Sequence, residues 1–125
     1  MKDFSNYFIR NILVEKVNLT RATLKEAVAF REKLEKDIYH PKMNVIIDLS
    51  SCSFMDSSFL GAIVLSKKKI EALEGNLKII EPLNFTQSIF QYTKTLRLFD
   101  SYSSLDEAVN SFDGEQCTFE RFERI

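Results

Sequence analysis

The sequence predicts an α/β fold with a mainly parallel sheet of four or more strands and about four helices. Three observations lead to this prediction. The run from Val45 to Leu49 is apolar apart from Asp48, which is typical of a strand buried on both faces. Several longer segments have apolar residues three to four positions apart, as amphipathic helices do. These strands and helices alternate along the chain, which favours parallel pairing with right-handed crossovers.

The first elements precede the central strand. The stretch from Phe8 to Val17 is mainly apolar and β-branched, so it predicts one or two strands, with the N-terminal one a candidate antiparallel edge. Thr23 and Glu26 have the spacing of a capping box and predict a helix from about Thr23 to Tyr39. Its apolar residues recur at helical spacing: Leu24, Ala27, Val28, Phe30, Leu34 and Ile38.

Three further strand and helix units follow the central strand. A second helix is predicted from Ser58 to Leu73, with Gly75 and Asn76 supplying a left-handed cap, and a short strand from Leu77 to Ile80. Asn84 and Gln87 open a third helix with Phe85, Ile89, Tyr92 and Leu96 on one face. The last unit is a strand from Leu98 to Tyr102 and a helix that begins at Ser104 and Glu107.

Length and composition restrict the class of protein. The 125 residues fit one domain, which we place at residues 1–112, followed by a C-terminal tail, residues 113–125, with no assigned structure. The formal net charge of -1 provides no basic surface for direct nucleic-acid binding. Apolar runs are too short for a membrane span and no secretory signal is readable, so a cytoplasmic location is expected. Cys52 and Cys117 lack the spacing of a zinc site or a disulfide framework, and we expect reduced thiols and no metal or cofactor.

The segment Met55-Asp56-Ser57-Ser58 lies between the central strand and the second helix. In parallel α/β sheets, ligands and partners bind the loops at the carboxyl ends of the strands, where helix N-termini converge. This turn is therefore the predicted functional site. A serine at a helix N-terminus is a reasonable phosphoacceptor, because the amide dipoles there stabilise an added dianion.

The residues Val45–Ser50, followed by Phe54–Gly61, resemble the signature of the STAS domain family, the SpoIIAA-like anti-sigma factor antagonists. The resemblance extends over about residues 8–112, and the order of strands and helices agrees with it. In that family the serine directly after the signature aspartate is phosphorylated, which by position is Ser57. Phe59 stands where the family typically has glycine.

The resemblance implies a regulatory, non-catalytic bacterial protein that affects sigma-factor-dependent transcription. It implies binding to an anti-sigma factor serine kinase, release after phosphorylation, and reactivation by a matching serine phosphatase. The residues expected to support the site are Asp56, Ser58 and Asp48, and those expected to contact the partner are Met55, Phe59, Leu60 and Gly61.

Simpler interpretations of the same residues are also open. Ser57 and Ser58 could be N-caps of the helix, Asp56 could close the turn through backbone N–H groups, and Phe59 could be a core residue. Asp48 invites comparison with the phosphoacceptor of response regulators, although no acidic pair follows the first strand. The domain could also be a STAS subunit of another signalling or transporter-associated ATPase complex. A catalytic role is disfavoured, because no phosphate loop or nucleophile–base pair is recognisable.

Overall fold

The computed structural model describes residues 3–82 and 99–112. The strands are β1 (Phe4–Ile9), β2 (Ile12–Val17), β3 (Arg21–Ala22), β4 (Asn44–Asp48), β5 (Phe54–Met55), β6 (Asn76–Ile80) and β7 (Asp100–Tyr102). The helices are α1 (Leu24–Asp37), α2 (Ser57–Ala72) and α3, residues 105–112. The predicted third helix that begins at Asn84 and the tail at 113–125 lie outside the described residues.

The main sheet has five strands in the order β1-β2-β4-β6-β7. Strand β1 is an antiparallel edge beside β2, and every other pair is parallel. Strand β4 occupies the centre, and Ile46 and Ile47 on its two faces have no exposed surface. The mixed α/β architecture and the antiparallel N-terminal edge agree with the prediction.

Two hydrophobic clusters cover the two faces of this sheet. Helices α1 and α2 lie on one face, where Phe30, Leu34 and Ile63 pack against alternate residues of β2, β4 and β6. Helix α3 covers the other face with Ala108, Val109 and Phe112. The side-chain alternation of each strand therefore decides which helix layer a residue meets.

The end of α2 differs from the predicted cap. Glu74, and not Gly75, adopts the left-handed conformation, with φ of 63°. Gly75 is required for a different reason: a Cβ atom there would lie 2.5 Å from the carbonyl oxygen of Met43. The glycine thus allows α2 to return closely to the start of β4, where the N–H of Asn76 donates to the same carbonyl at 3.0 Å.

Candidate functional site

The predicted turn is held by a second, two-stranded sheet. Strands β3 and β5 pair in parallel, with Arg21 opposite Phe54 and Ala22 opposite Met55. The N–H of Asp56 continues this pairing by donating to the carbonyl of Ala22 at 3.0 Å. Because β3 leads into α1 and β5 leads into α2, the small sheet places the N-termini of both helices side by side.

Asp56 joins these two helix starts through one carboxylate. It is the N-cap of α2, and its Oδ1 accepts a hydrogen bond from the N–H of Phe59 at 3.0 Å. Its Oδ2 accepts from the N–H of Leu24, the first residue of α1, also at 3.0 Å. The prediction that Asp56 closes the turn through backbone N–H groups is confirmed, and the bond to the second helix adds to it.

The two serines follow the cap. Ser57 is the first residue of α2 and its side chain is exposed, while Ser58 is half-buried. Since Asp56 is the N-cap, the interpretation of Ser57 or Ser58 as N-cap is wrong. Ser57 is therefore an accessible hydroxyl on the first turn of a sixteen-residue helix, a position at which the helix dipole favours an anion.

Phe59 and Met55, two of the residues expected to contact a partner, are core residues. Phe59 has no exposed surface and its ring lies 5.0 Å from the ring of Phe30 and 6.5 Å from that of Phe4. Met55 is also buried. Of the two roles considered for Phe59, the structure therefore shows the packing role. It fills space below the turn and fixes the first turn of α2 against the sheet.

Leu60 and Gly61 are the other two residues expected to contact a partner. Leu60 is mostly buried, whereas Gly61 is half-buried, and both line an open groove beside Ser57 and Ser58. Their contact with a partner stays a prediction, but the structure shows that both residues lie next to the two serines.

Asp48 shapes the loop that leads to the turn. It ends β4, is buried, and its Oδ1 accepts from the N–H of Ser50 at 2.9 Å. Burial, with the charge of Asp48 as a second cause, raises the pKa of the Cys52 thiol to about 12. Cys52 is therefore a buried, protonated thiol with no nucleophilic role at neutral pH.

Within residues 3–82 and 99–112, no cluster of three or more histidine, cysteine, aspartate or glutamate side chains could hold a metal ion. Across that same part of the chain, every helix is too short or too polar to cross a bilayer. The site consists of the Ser57 hydroxyl, the Asp56 carboxylate that caps both helices, and a neighbouring apolar surface.

Sequence reasoning missed the exposure of α1. Leu24 and Val28 belong to its apolar stripe, yet their side chains are 64% and 60% exposed. The signal was available, because a stripe that includes both of these residues and Ala27, Phe30 and Leu34 is wider than one buried face of a helix needs.

Comparison with known proteins agrees with this geometry. The family model described as the STAS domain matches residues 23–108. No curated protein matches the sequence.

Similar solved structures share the fold at low sequence identity. An anti-sigma-factor antagonist (STAS) domain protein from Planctomyces limnophilus has a TM-score of 0.76 at 20% identity, over 88% of this chain and 97% of that one. The Bacillus cell fate determinant SpoIIAA in its phosphorylated form has a TM-score of 0.62 at 19% identity, over 87% and 98%. The murine anion transporter Slc26a9 has a TM-score of 0.64 at 14% identity, over 85% of this chain and 18% of the transporter.

Proposed function

The chain belongs to the STAS domain family, and we propose that it is an anti-sigma factor antagonist controlled by phosphorylation of Ser57. In this proposal the unphosphorylated protein binds an anti-sigma factor serine kinase in the cytoplasm and so frees a sigma factor. Phosphorylation of Ser57 ends that binding, and a serine phosphatase restores it. The chain acts by binding and not by catalysis.

The observation that carries the proposal is the position of Ser57. It is an exposed hydroxyl on the first turn of α2, and the N-cap role that would otherwise occupy a serine belongs to Asp56. The similarity to the structure of phosphorylated SpoIIAA supports the expectation that this fold can carry a phosphate. Ser57 can therefore be modified without the loss of a capping bond.

Local electrostatics explain how the phosphate would act. A phosphate on Ser57 adds a charge of about -1.5 to -2 directly beside the carboxylate of Asp56. The helix dipole compensates part of this charge, so the fold is expected to persist. A partner fitted to the neutral hydroxyl would meet a strongly anionic surface and dissociate.

Intact-mass and peptide analysis tests the proposal. The wild type, Ser57→Ala and Ser58→Ala would each be incubated with Mg-ATP and the purified anti-sigma factor kinases of the source organism. We expect one phosphate on the wild type and on Ser58→Ala, and none on Ser57→Ala. Phosphate that persists in Ser57→Ala and disappears in Ser58→Ala would overturn the assignment.

A second candidate is a STAS subunit of another signalling or transporter-associated ATPase complex. The likeness to Slc26a9, of which this chain spans only 18%, favours keeping it. Affinity purification of the tagged chain, followed by identification of the bound ATPase, separates the two. A kinase that also binds a sigma factor supports the first candidate, and a transporter-associated ATPase supports the second.

A further inference from the structure

An open groove runs between the two helices that start at the turn, and we call it the α1–α2 groove. Its volume is about 580 Å³. Residues from both helices line it, among them Leu24, Val28, Ser57, Ser58, Gly61 and Leu65. The candidate phosphorylation site is thus part of the wall of an apolar groove.

The groove gathers aliphatic side chains that the fold leaves uncovered. Leu24, Val28 and Leu65 are 64%, 60% and 47% exposed. Leu24 and Val28 are one turn apart on α1, and Leu65 faces them from α2. Contiguous exposed apolar surface on a soluble domain marks an interaction site more often than single exposed residues do.

Gly61 also lines the groove, and the presence of glycine at this position is an independent observation. Among the described residues, a Cβ atom on Gly61 would have no neighbour within 4 Å, so packing within this part of the chain does not require glycine there. Glycine in the middle of a helix nevertheless destabilises it by roughly 1 kcal/mol relative to alanine. A glycine that costs helix stability, and that no contact among residues 3–82 and 99–112 requires, indicates close approach by a binding partner.

The two ends of the groove differ in charge. Ser57 and Ser58 form one end. Arg31 lines the other end, and beyond it lies a smaller pocket lined by Arg31, Glu35 and Lys69. The Glu35 carboxylate in that pocket is 3.7 Å from Arg31 and 3.9 Å from Lys69. Two cations on one half-exposed anion leave this end positive, and it complements an acidic side chain.

We propose that the α1–α2 groove binds an amphipathic helix of a partner protein, with its aliphatic side chains over Gly61 and an acidic residue beside Arg31 and Lys69. A helix is favoured over a strand because the groove walls are helices, whose backbone groups are already paired and offer no edge for strand addition. From Ser57 to Leu65 the groove follows about 12 Å of α2, enough for about two helical turns of a partner. The inference rests on the proposed function in one respect, namely that this helix belongs to the partner that phosphorylation releases.

The first experiment needs no natural partner. Displayed sixteen-residue helical peptides would be selected on the unphosphorylated full chain, and the strongest binder synthesised. We expect aliphatic residues at positions i, i+3 or i+4, and i+7, with an aspartate or glutamate near one end. Absence of any groove-binding peptide overturns the proposal.

Substitutions then locate the peptide. Gly61→Leu should weaken binding by about tenfold or more, because its side chain enters the groove. Ala29→Leu places the same leucine side chain at an exposed position of α1 outside the groove and should change binding by less than about twofold. Gly61→Ala should not lower the melting temperature, which shows that the position tolerates a side chain. Equal binding by wild type and Gly61→Leu contradicts the proposal.

Charge exchange tests the orientation of the peptide. Arg31→Glu should weaken the selected peptide, and a peptide with lysine in place of its acidic residue should bind Arg31→Glu better than it binds wild type. Failure of this exchange would contradict the assigned orientation. Binding of cis-parinaric acid that Gly61→Leu abolishes, while the selected peptide binds wild type and Gly61→Leu equally, would show that the groove is an acyl-chain site. A wild-type dimer that Gly61→Leu dissociates would point to self-association. Either result overturns the proposal.

The effect of a negative charge at Ser57 on peptide binding distinguishes this inference from the proposed function. Ser57→Asp should weaken the peptide about fivefold or more, since the new charge lies at the groove wall. If peptides bind the groove but no kinase modifies Ser57, the proposed function fails and the docking surface stands. If Ser57 is phosphorylated but Gly61→Leu binds the kinase and the peptide normally, the proposed docking surface is contradicted and the proposed function stands.

Discussion

Each face of the main sheet holds one charged side chain that is only 1% exposed, and the two faces stabilise it in different ways. Lys78, 1% exposed, faces α3, where its Nζ donates to Ser111 Oγ at 2.8 Å and lies 4.3 Å from the centre of the Phe112 ring. Glu15, also 1% exposed, faces α1, and among the described residues neither of its oxygens has a hydrogen-bond donor. One face thus gives its buried charge a hydrogen bond and an aromatic ring, whereas the other gives Glu15 only the longer ion pair with Lys33.

The surroundings of Glu15 explain its protonation. Lys33 on α1 is 3.7 Å from Oε1 but only 2.8 Å from Oδ2 of Asp37, and Asn6 lies opposite on β1. Burial above all, and then the neighbouring Asp37, raise the pKa of Glu15 to about 8. A buried carboxyl group without hydrogen-bond donors takes a proton, because burial disfavours its charged form. The difference between the two faces shows that the energetic cost of burying a charged side chain depends on its interaction partners and not only on how deeply it is buried.

The largest expected effect is at Lys78. Lys78→Ala should lower the free energy of unfolding by about 3 kcal/mol, because it leaves a cavity beside Phe112 and removes the hydrogen bond to Ser111. Lys78→Met, the volume-matched control, should cost less than about 1.5 kcal/mol. Urea denaturation measures both, and equal losses in the two variants would show that the charge, and not the packing, stabilises this face.

The next effect is the pH dependence of the Glu15 face. The folded-state pKa of about 8 exceeds the ordinary value of 4.5, so the folded state binds the extra proton. Stability is then fully present below about pH 4.5 and falls as the pH rises to about 8, by roughly 1.4 kcal/mol per pH unit at most. The pKa of Asp37 is lowered and that of Lys33 raised, so both titrate outside this window.

Urea denaturation of wild type and Glu15→Gln between pH 5 and 9 checks the sign. The wild type should lose about 2–4 kcal/mol over this range, and the Glu15→Gln curve should be nearly flat. Parallel curves would mean that Glu15 is ionised in the folded protein at neutral pH.

A smaller effect is expected from Lys33→Met. The positive charge of Lys33 lowers the pKa of Glu15, so its removal should move the pKa further upward. The carboxyl ¹³C shift of Glu15, followed by NMR against pH, reports this directly. A midpoint that moves down, or not at all, would contradict the placement of Lys33 beside this carboxyl group.

The smallest effect is the coupling between the faces. Glu15 and Lys78 are on opposite sides of the sheet and β4 separates their strands, which puts the strands about 10 Å apart. The double variant Glu15→Gln, Lys78→Met should therefore equal the sum of the single variants within about 0.5 kcal/mol. A larger deviation, measured by denaturation at pH 7, would show that the sheet transmits strain between its two layers.

Local patterns predicted the parts of the fold that local chemistry decides. The apolar run of β4 is a central strand, and the Glu26 carboxylate accepts from the backbone N–H of Thr23, as the predicted capping box requires. Ser104 Oγ accepts from the N–H of Glu107 at the start of α3, again as predicted. Each of these contacts lies within a few residues in the sequence.

Contacts between distant residues were beyond sequence reasoning. Strands β3 and β5 have two residues each, too few for periodicity, and the bond from Leu24 to Asp56 joins residues 32 positions apart. The width of the apolar stripe on α1 indicated that part of it stays exposed, but which residues α2 and the sheet cover depends on how the helix lies against them, so Val28 could not be singled out. The burial of Glu15 likewise depends on where α1 crosses the sheet.

The double capping bond of Asp56 restricts which amino acids position 56 can hold. The side chain needs two oxygen acceptors, one toward Phe59 and one toward Leu24. Serine, threonine and asparagine are good caps for a single helix, but each offers only one oxygen, and the second group of asparagine is a donor. Glutamate has two oxygens on a longer side chain that is a poor N-cap. The geometry therefore selects aspartate at this position whether or not the neighbouring serine is ever modified.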